Sequence, residues 1–156
     1  MLIRLIQEKD NQEVEQLIRT CLLEFGANKS GCAWEAPYLG QFYQVYQPEN
    51  MQYLVVEKDG YIVAGCGIGP VQGVDSVCEL QKMYMYKDIR GSGIAKQLLE
   101  LSLEFAKKHY KQCYLETFEN MIAANKFYVK HGFRLLDKSL IEGPHYACDR
   151  WYIKDL

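Results

Sequence analysis

One stretch of the chain, residues 83–99, constrains the fold most, because it predicts a strand, a glycine-rich turn and a helix in immediate succession. Its sequence is MYMYKDIRGSGIAKQLL. Gly91 and Gly93 let the backbone approach a ligand closely, and the first amides of the helix have no partner inside the helix. The helix dipole adds partial positive charge at the same place. The stretch therefore predicts a cradle for an anion such as a pyrophosphate, with Arg90 and Lys96 available to add charge.

A plain glycine-rich helix entry is the alternative interpretation, because Gly-x-Gly is common by chance. Two well-known phosphate motifs do not fit this stretch. A P-loop requires GxxxxGK[ST], which the sequence lacks. A dinucleotide fingerprint requires a third glycine where this chain has Lys96. A pyrophosphate held here would therefore belong to another class of fold.

The remaining patterns predict one mixed sheet with helices on both faces, an α/β or α+β architecture. Asp59-Gly60 separates two apolar runs, which is typical of a β-hairpin with a type I′ turn. Helical spacing of apolar residues predicts helices over 9–25, 92–109 and 121–131, with Gly26 and Gly132 as stops. Strands are predicted over 2–6, 52–58, 61–68, 76–86, 112–117, 133–137 and 146–154, and a short aromatic-rich helix over 37–46.

Composition and charge limit the classes of function. The 156 residues fit a single domain spanning 1–156. The formal net charge of -2 lacks the basic surplus of a nucleic-acid-binding protein. Apolar stretches are shorter than the ~18 residues of a membrane span, and the N-terminus lacks a signal-peptide pattern. The six cysteines include no CxxC pair. We therefore expect a cytoplasmic protein with neither disulfides nor structural zinc, and no nucleic-acid or membrane partner.

Two motifs in order resemble those of the GNAT acetyltransferase superfamily. RGSGIA, residues 90–95, resembles the acyl-CoA signature [QR]-x-x-G-x-[GA]. YLETFENMIAANKFYVKHGF, residues 114–133, resembles the family's second conserved segment, and CELQKMYM, residues 78–85, looks like its central strand. The resemblance implies a single GNAT domain with a mostly antiparallel sheet and a central, splayed pair of parallel strands. It also implies transfer of an acetyl group from acetyl-CoA to an amine.

The resemblance assigns the binding of acetyl-CoA mainly to backbone groups. Those of Met83, Tyr84 and Met85 would bind the pantetheine arm. The pyrophosphate would meet the amides of six consecutive residues, Gly91, Ser92, Gly93, Ile94, Ala95 and Lys96. The asparagine that often precedes the family's tyrosine by seven residues is Met121 here, so Asn120 and Asn125 are the candidates to replace it.

The resemblance also places the catalytic groups. Tyr128 matches a tyrosine that often protonates the departing thiolate, although a core tyrosine is the alternative. Glu79 or Glu116 would accept the proton of the amine, directly or through water, and Glu79 is slightly favoured. Direct attack on the thioester is the usual route, and no cysteine has a histidine partner in a recognisable motif that would support a covalent intermediate.

Several assignments stay open at this point. His145, Cys148, Asp149 and Trp151 either line the acceptor site or belong to an ordinary strand, and H-x-x-C lacks further ligands for a metal site. A group of aromatic residues either walls the acceptor pocket or packs in the core: Trp34, Tyr38, Phe42, Tyr43 and Tyr46. The acceptor is a small-molecule or a peptide amine. A homodimer and a catalytically silent acyl-CoA sensor are the remaining alternatives.

Overall fold

The turn at Asp59-Gly60 organises the first half of the sheet in the computed structural model, which describes all 156 residues. Both residues have positive φ angles, 51° and 83°, as a type I′ turn requires. The strands are β1 (Leu2–Leu5), β2 (Gln52–Lys58), β3 (Tyr61–Pro70), β4 (Val77–Met85), β5 (Gln112–Thr117), β6 (Arg134–Leu136) and β7 (Arg150–Asp155). The helices are α1 (Asn11–Glu24), α2 (Phe42–Val45), α3 (Ile94–Lys107) and α4 (Ile122–Lys130).

All seven strands form one mixed sheet in the order β1-β2-β3-β4-β5-β7-β6. Every neighbouring pair is antiparallel except β4 and β5. This parallel pair extends over three positions only, from Val77 opposite Gln112 to Glu79 opposite Tyr114. Beyond Glu79 the two strands separate, although β4 continues to Met85. The predicted mixed sheet with a splayed central pair is confirmed.

Helices cover both faces of the sheet, each over its own hydrophobic core. On one face, Leu98, Leu99 and Leu103 of α3 pack on Leu54 and Val56 of β2. The opposite face carries α1 and α2, which pack on Tyr53, Val55 and Ile62. The side chains of β2 alternate between the two cores, because successive residues of a strand point to opposite faces of the sheet. None of the helices is both long enough and apolar enough to span a membrane.

Most predicted elements agree with the observed ones to within two residues at each end, and the differences are clearest in α3, in β7 and in the aromatic-rich segment. Helix α3 begins at Ile94 rather than at residue 92, because Gly93 is its N-cap in a left-handed conformation, with φ of 85°. Strand β7 begins at Arg150 rather than at residue 146, because the amide of Cys148 bonds the carbonyl of His145 in a turn. The aromatic-rich segment is helical only over Phe42–Val45.

Candidate active site

The separation of β4 and β5 opens a cavity of about 330 Å³ in the centre of the molecule. Its walls are mostly apolar, and they include all three strand residues expected to bind the pantetheine arm: Met83, Tyr84 and Met85. Glu79, Glu116 and Tyr128 line the same cavity. Glu79 and Tyr128, which are 49 positions apart in the sequence, therefore face one concave space of the kind that binds small molecules.

A β-bulge in β4 shapes this cavity. Lys82 and Met83 together oppose the single residue Cys66 of β3, and Lys82 has a φ of 50°. The hydroxyl of Tyr53 donates a 2.9 Å hydrogen bond to the carbonyl oxygen of Lys82 and holds this conformation. A bulge reverses the alternation of side chains along a strand. Lys82 therefore lies outside the core beneath α3 and lines the cavity instead.

The predicted anion cradle forms a turn with open space in front of it. Gly91 and Gly93 have φ angles of 79° and 85°, and a Cβ atom on either would meet no atom within 4 Å. Gly91 and Ala95 line the cavity, as does Arg90. Ser92, Gly93 and Lys96 are exposed, whereas the side chain of Ile94 is buried in the core.

Arg90 is engaged by protein groups in a way that the sequence analysis missed. Its guanidinium pairs with both carboxylate oxygens of Glu24, at 2.6 and 2.8 Å, and donates to the carbonyl oxygen of Met85. It therefore ties the end of α1 to the end of β4. Lys96 lies 3.7 Å from Glu100 on the exposed face of α3. No sequence pattern marks the contact between Arg90 and Glu24, which are 66 positions apart.

Three polar groups meet at the end of the cavity where β4 and β5 part. The carboxylates of Glu79 and Glu116 and the imidazole of His145 lie within 4.8 Å of one another. A metal ion can occupy such a triplet, but the ammonium nitrogen of Lys82 is already 3.1 Å from Nε2 of His145. One imidazole nitrogen of His145 is therefore already engaged by Lys82.

Burial gives two groups in this cluster unusual protonation behaviour. It raises the pKa of Glu79 to about 7, with a further contribution from Glu116 and an opposing one from Lys82. It lowers the pKa of His145 to about 4, an effect that the neighbouring Lys82 reinforces. At neutral pH the imidazole is thus uncharged and accepts a hydrogen bond from the ammonium of Lys82.

Glu116 differs from Glu79 in its hydrogen bonds. Its Oε2 lies 3.1 Å from the hydroxyl of Tyr114 and 3.1 Å from that of Ser139. These two hydroxyl groups hold the carboxylate of Glu116 in place. Glu79, by contrast, has no side-chain hydrogen bond in the structure, and its carboxyl group is the one whose pKa burial raises.

Tyr128 lies on α4 with its ring between Phe133 and Tyr152, at centroid distances of 5.8 and 6.1 Å. Burial raises the pKa of its phenol, so the group is protonated at neutral pH. Asn120 and Asn125 do not line the cavity. The amide of Asn125 instead donates to backbone carbonyls at the start of α4, and its oxygen accepts from Tyr152. The cavity wall next to them includes Met121, the residue at the family's asparagine position.

A second cavity of about 350 Å³ meets the first at Glu116, His145 and Cys148. Trp151 lines this second cavity. Burial raises the pKa of the Cys148 thiol to about 12. Of the five aromatic residues predicted either to wall the acceptor pocket or to pack, Phe42 and Tyr46 are buried against Tyr53, Trp34 and Tyr43 are partly buried beside the same core, and Tyr38 is exposed. Asp149 accepts a hydrogen bond from the amide of Glu119.

Comparison with known proteins agrees with this geometry. The model of the acetyltransferase (GNAT) family matches residues 12–133. The uncharacterized N-acetyltransferase YjgM of Escherichia coli K12 is 36% identical over 157 residues, which cover 99% of this chain and 94% of that protein. The N-acetylaspartate synthetase of Xenopus tropicalis is 38% identical over 95 residues, which cover 59% of this chain and 34% of that protein.

A solved structure shares the fold. The PaiA N-acetyltransferase of Thermoplasma acidophilum, solved in complex with coenzyme A, superposes with a TM-score of 0.72 at 18% identity, over 99% of this chain and 98% of that one. The family match covers the splayed strands, the glycine turn and the second conserved segment together. This chain therefore belongs to the GNAT family and is an acetyl-CoA-dependent N-acetyltransferase.

Proposed function

We propose that the chain transfers the acetyl group of acetyl-CoA to a small primary amine, which attacks the thioester directly. In this proposal Glu79 is the base and Tyr128 is the acid. The proposal rests chiefly on one observation: a carboxyl group with a pKa of about 7 and a buried, protonated phenol line the same cavity. A base poised near the working pH can take a proton from an ammonium group and release it again.

Acetyl-CoA would lie along β4. Past Glu79 this strand has no partner strand on its β5 side, which leaves room for the pantetheine arm along Met83 and Tyr84. The carbonyl oxygen of Met85 already accepts from Arg90, so at Met85 only the amide could take part. The exposed turn at Gly91 to Gly93 and the amides that follow would hold the pyrophosphate. Arg90 would act mainly by positioning, because Glu24 already neutralises its charge.

In the reaction, Glu79 accepts a proton from the ammonium of the acceptor, directly or through water. The free amine attacks the thioester carbonyl carbon, and the carbon–sulfur bond then breaks. Tyr128 donates its proton to the departing sulfur, and the surplus proton of the new amide nitrogen restores the phenol through solvent. The protonated thiol of Cys148 is a poor nucleophile, which supports direct attack without a covalent intermediate.

The acceptor would reach Glu79 from the second cavity, past Glu116 and His145. One relative is named for synthesis of an N-acetylated amino acid, which supports free amino acids as acceptors to test first. The function is tested by measuring free thiol released from acetyl-CoA in the presence of single amines. Release that depends on the amine is the expected result. An enzyme that binds acetyl-CoA yet releases no thiol with any amine would contradict the proposal.

Replacing Gly91 by alanine should weaken acetyl-CoA binding about 10-fold or more, because the added methyl group enters the space proposed for the pyrophosphate. The measurement is the dissociation constant of acetyl-CoA by calorimetry. Gly73→Ala is the matched control: Gly73 has a φ of 76° and open space around its Cβ position, but lies in the loop after β3. Both variants should lose a similar ~1 kcal/mol of stability. Equal dissociation constants in the two variants would remove the turn from the binding site.

A further inference from the structure

The ammonium of Lys82 faces the cavity without forming a salt bridge. Its only hydrogen-bond partner is the neutral imidazole of His145. No carboxylate oxygen lies within 4 Å of it, whereas the ion pairs of this protein all involve other lysines and arginines. Burial lowers the pKa of Lys82, an effect that the more distant charges of Glu79 and Glu116 oppose.

The backbone of Lys82 has a strained, left-handed conformation, with φ of 50°. A left-handed conformation is uncommon for a residue with a long side chain, and a bulge without glycine at this position costs stability. Tyr53 holds the conformation through the carbonyl oxygen of Lys82. Without the bulge, the alternation along β4 would place Lys82 on the same side as Leu80, in the apolar core. The bulge thus places Lys82 at the cavity and not in the core.

His145 orients this cation. Nε2 accepts one of the three N–H groups of the ammonium, which leaves two donors for another ligand. His145 also borders the second cavity, through which the acceptor would enter. The ammonium therefore lies beside the proposed path of the acceptor and close to the carboxylates of Glu79 and Glu116.

We propose that Lys82, held by His145, binds a carboxylate of the acceptor, so that the substrate is an amino acid or another amine that carries a carboxylate close to its amino group. This inference rests on the proposed function. The site then offers carboxylates to the amino group and an ammonium to the carboxylate, which complements a zwitterion. An amine without a carboxylate would leave the half-buried ammonium of Lys82 without a salt bridge, and polar groups that stay unpaired in this way are a strong source of discrimination.

The test compares each of the twenty L-amino acids with its primary amide, because the amide keeps the shape and removes the negative charge. Thiol release gives kcat/KM for both members of each pair. The wild-type enzyme should prefer the acid, and Lys82→Met should reduce the ratio of acid to amide by about 10- to 100-fold. Lys82→Arg should restore part of the preference. Lys87→Met, which removes an exposed lysine just beyond β4, should leave the ratio unchanged.

Lys82→Gly guards against a trivial loss of folding. Glycine adopts a positive φ readily, so this variant keeps the bulge, relieves its strain and lacks the ammonium. It should be folded, with the same lowered ratio. Three results would each overturn the inference while the proposed function stands. They are amides that are used as well as the acids, acceptance only of amines that lack a carboxylate, and an unchanged ratio in the Lys82 variants. Failure of every amine would instead overturn the proposed function.

Discussion

Replacement of Glu79 by glutamine is expected to remove most turnover and, at the same time, to stabilise the folded protein. Loss of a general base lowers kcat by about 10²- to 10⁴-fold. The stability gain has a separate cause, since burial makes the ionised Glu79 unfavourable in the folded state. Glutamine has nearly the same shape and carries no charge.

The gain in stability depends on pH in a defined way. The pKa of Glu79 is about 7 in the folded protein, against an ordinary value of 4.5. Below pH 4.5 the group is neutral in both states and carries no penalty. As the pH rises from 4.5 through 7, the unfolded chain loses this proton first, so the wild type is progressively destabilised relative to Glu79→Gln. Above pH 7 the difference reaches at most about 3 kcal/mol, and contact with solvent in the cavity reduces it.

Two measurements together test this prediction. Denaturant unfolding of both proteins at pH 5 and pH 8 gives the stability difference, which should be clearly larger at pH 8. Thiol release as a function of pH should show the wild-type kcat/KM rising toward a plateau above pH 7. Glu116→Gln is the comparison variant, because its carboxylate is fixed by two hydroxyl groups. A larger loss of kcat in Glu116→Gln than in Glu79→Gln would transfer the role of base to Glu116.

Tyr128→Phe is expected to lower kcat by about 10²- to 10⁴-fold and to leave acetyl-CoA binding nearly intact. The phenol has no hydrogen-bond partner within the protein, and the ring contacts with Phe133 and Tyr152 survive the change. A thiolate leaving group lacks its proton donor in the variant, so the loss falls on the chemical step. Turnover and the dissociation constant of acetyl-CoA, measured on the same preparation, separate the two effects.

Tyr46→Phe is the matched control for this experiment. Tyr46 is also buried, but its hydroxyl donates to Gln81 and it does not line the cavity. We expect Tyr46→Phe to cost some stability, through the loss of that hydrogen bond, and to retain turnover. Unchanged kcat in Tyr128→Phe would show that the thiolate obtains its proton elsewhere, most simply from water.

Local patterns in the sequence predicted the framework of this site well. The Asp-Gly turn, the bounds of β5 and the glycine that ends α4 all follow from short-range preferences. The splayed strand pair came from the resemblance to the GNAT family, because strand spacing alone does not specify where two parallel strands stop pairing. These features depend on neighbouring residues or on motifs with fixed spacing.

Long-range contacts between polar side chains could not be predicted in this way. Lys82 contacts His145, which is 63 positions away in the sequence. The contact depends on a bulge in β4 that no glycine indicates in the sequence. Sequence reasoning placed the strand correctly but would have put Lys82 on the wrong side of it. It likewise left Asn125 as a candidate for cofactor contact, whereas the structure engages its amide at the start of α4. Such contacts depend on tertiary packing, which sets the direction of each side chain.

Thermal unfolding with and without acetyl-CoA tests most directly the claim that the cavity between β4 and β5 is an acetyl-CoA site. At 100 times its dissociation constant, a ligand adds about 2.7 kcal/mol of stability, which for a chain of this size raises Tm by about 5 to 10 °C. We predict this increase with acetyl-CoA and none with ATP or NAD at the same concentration. An equal Tm in the presence and absence of acetyl-CoA would contradict the account.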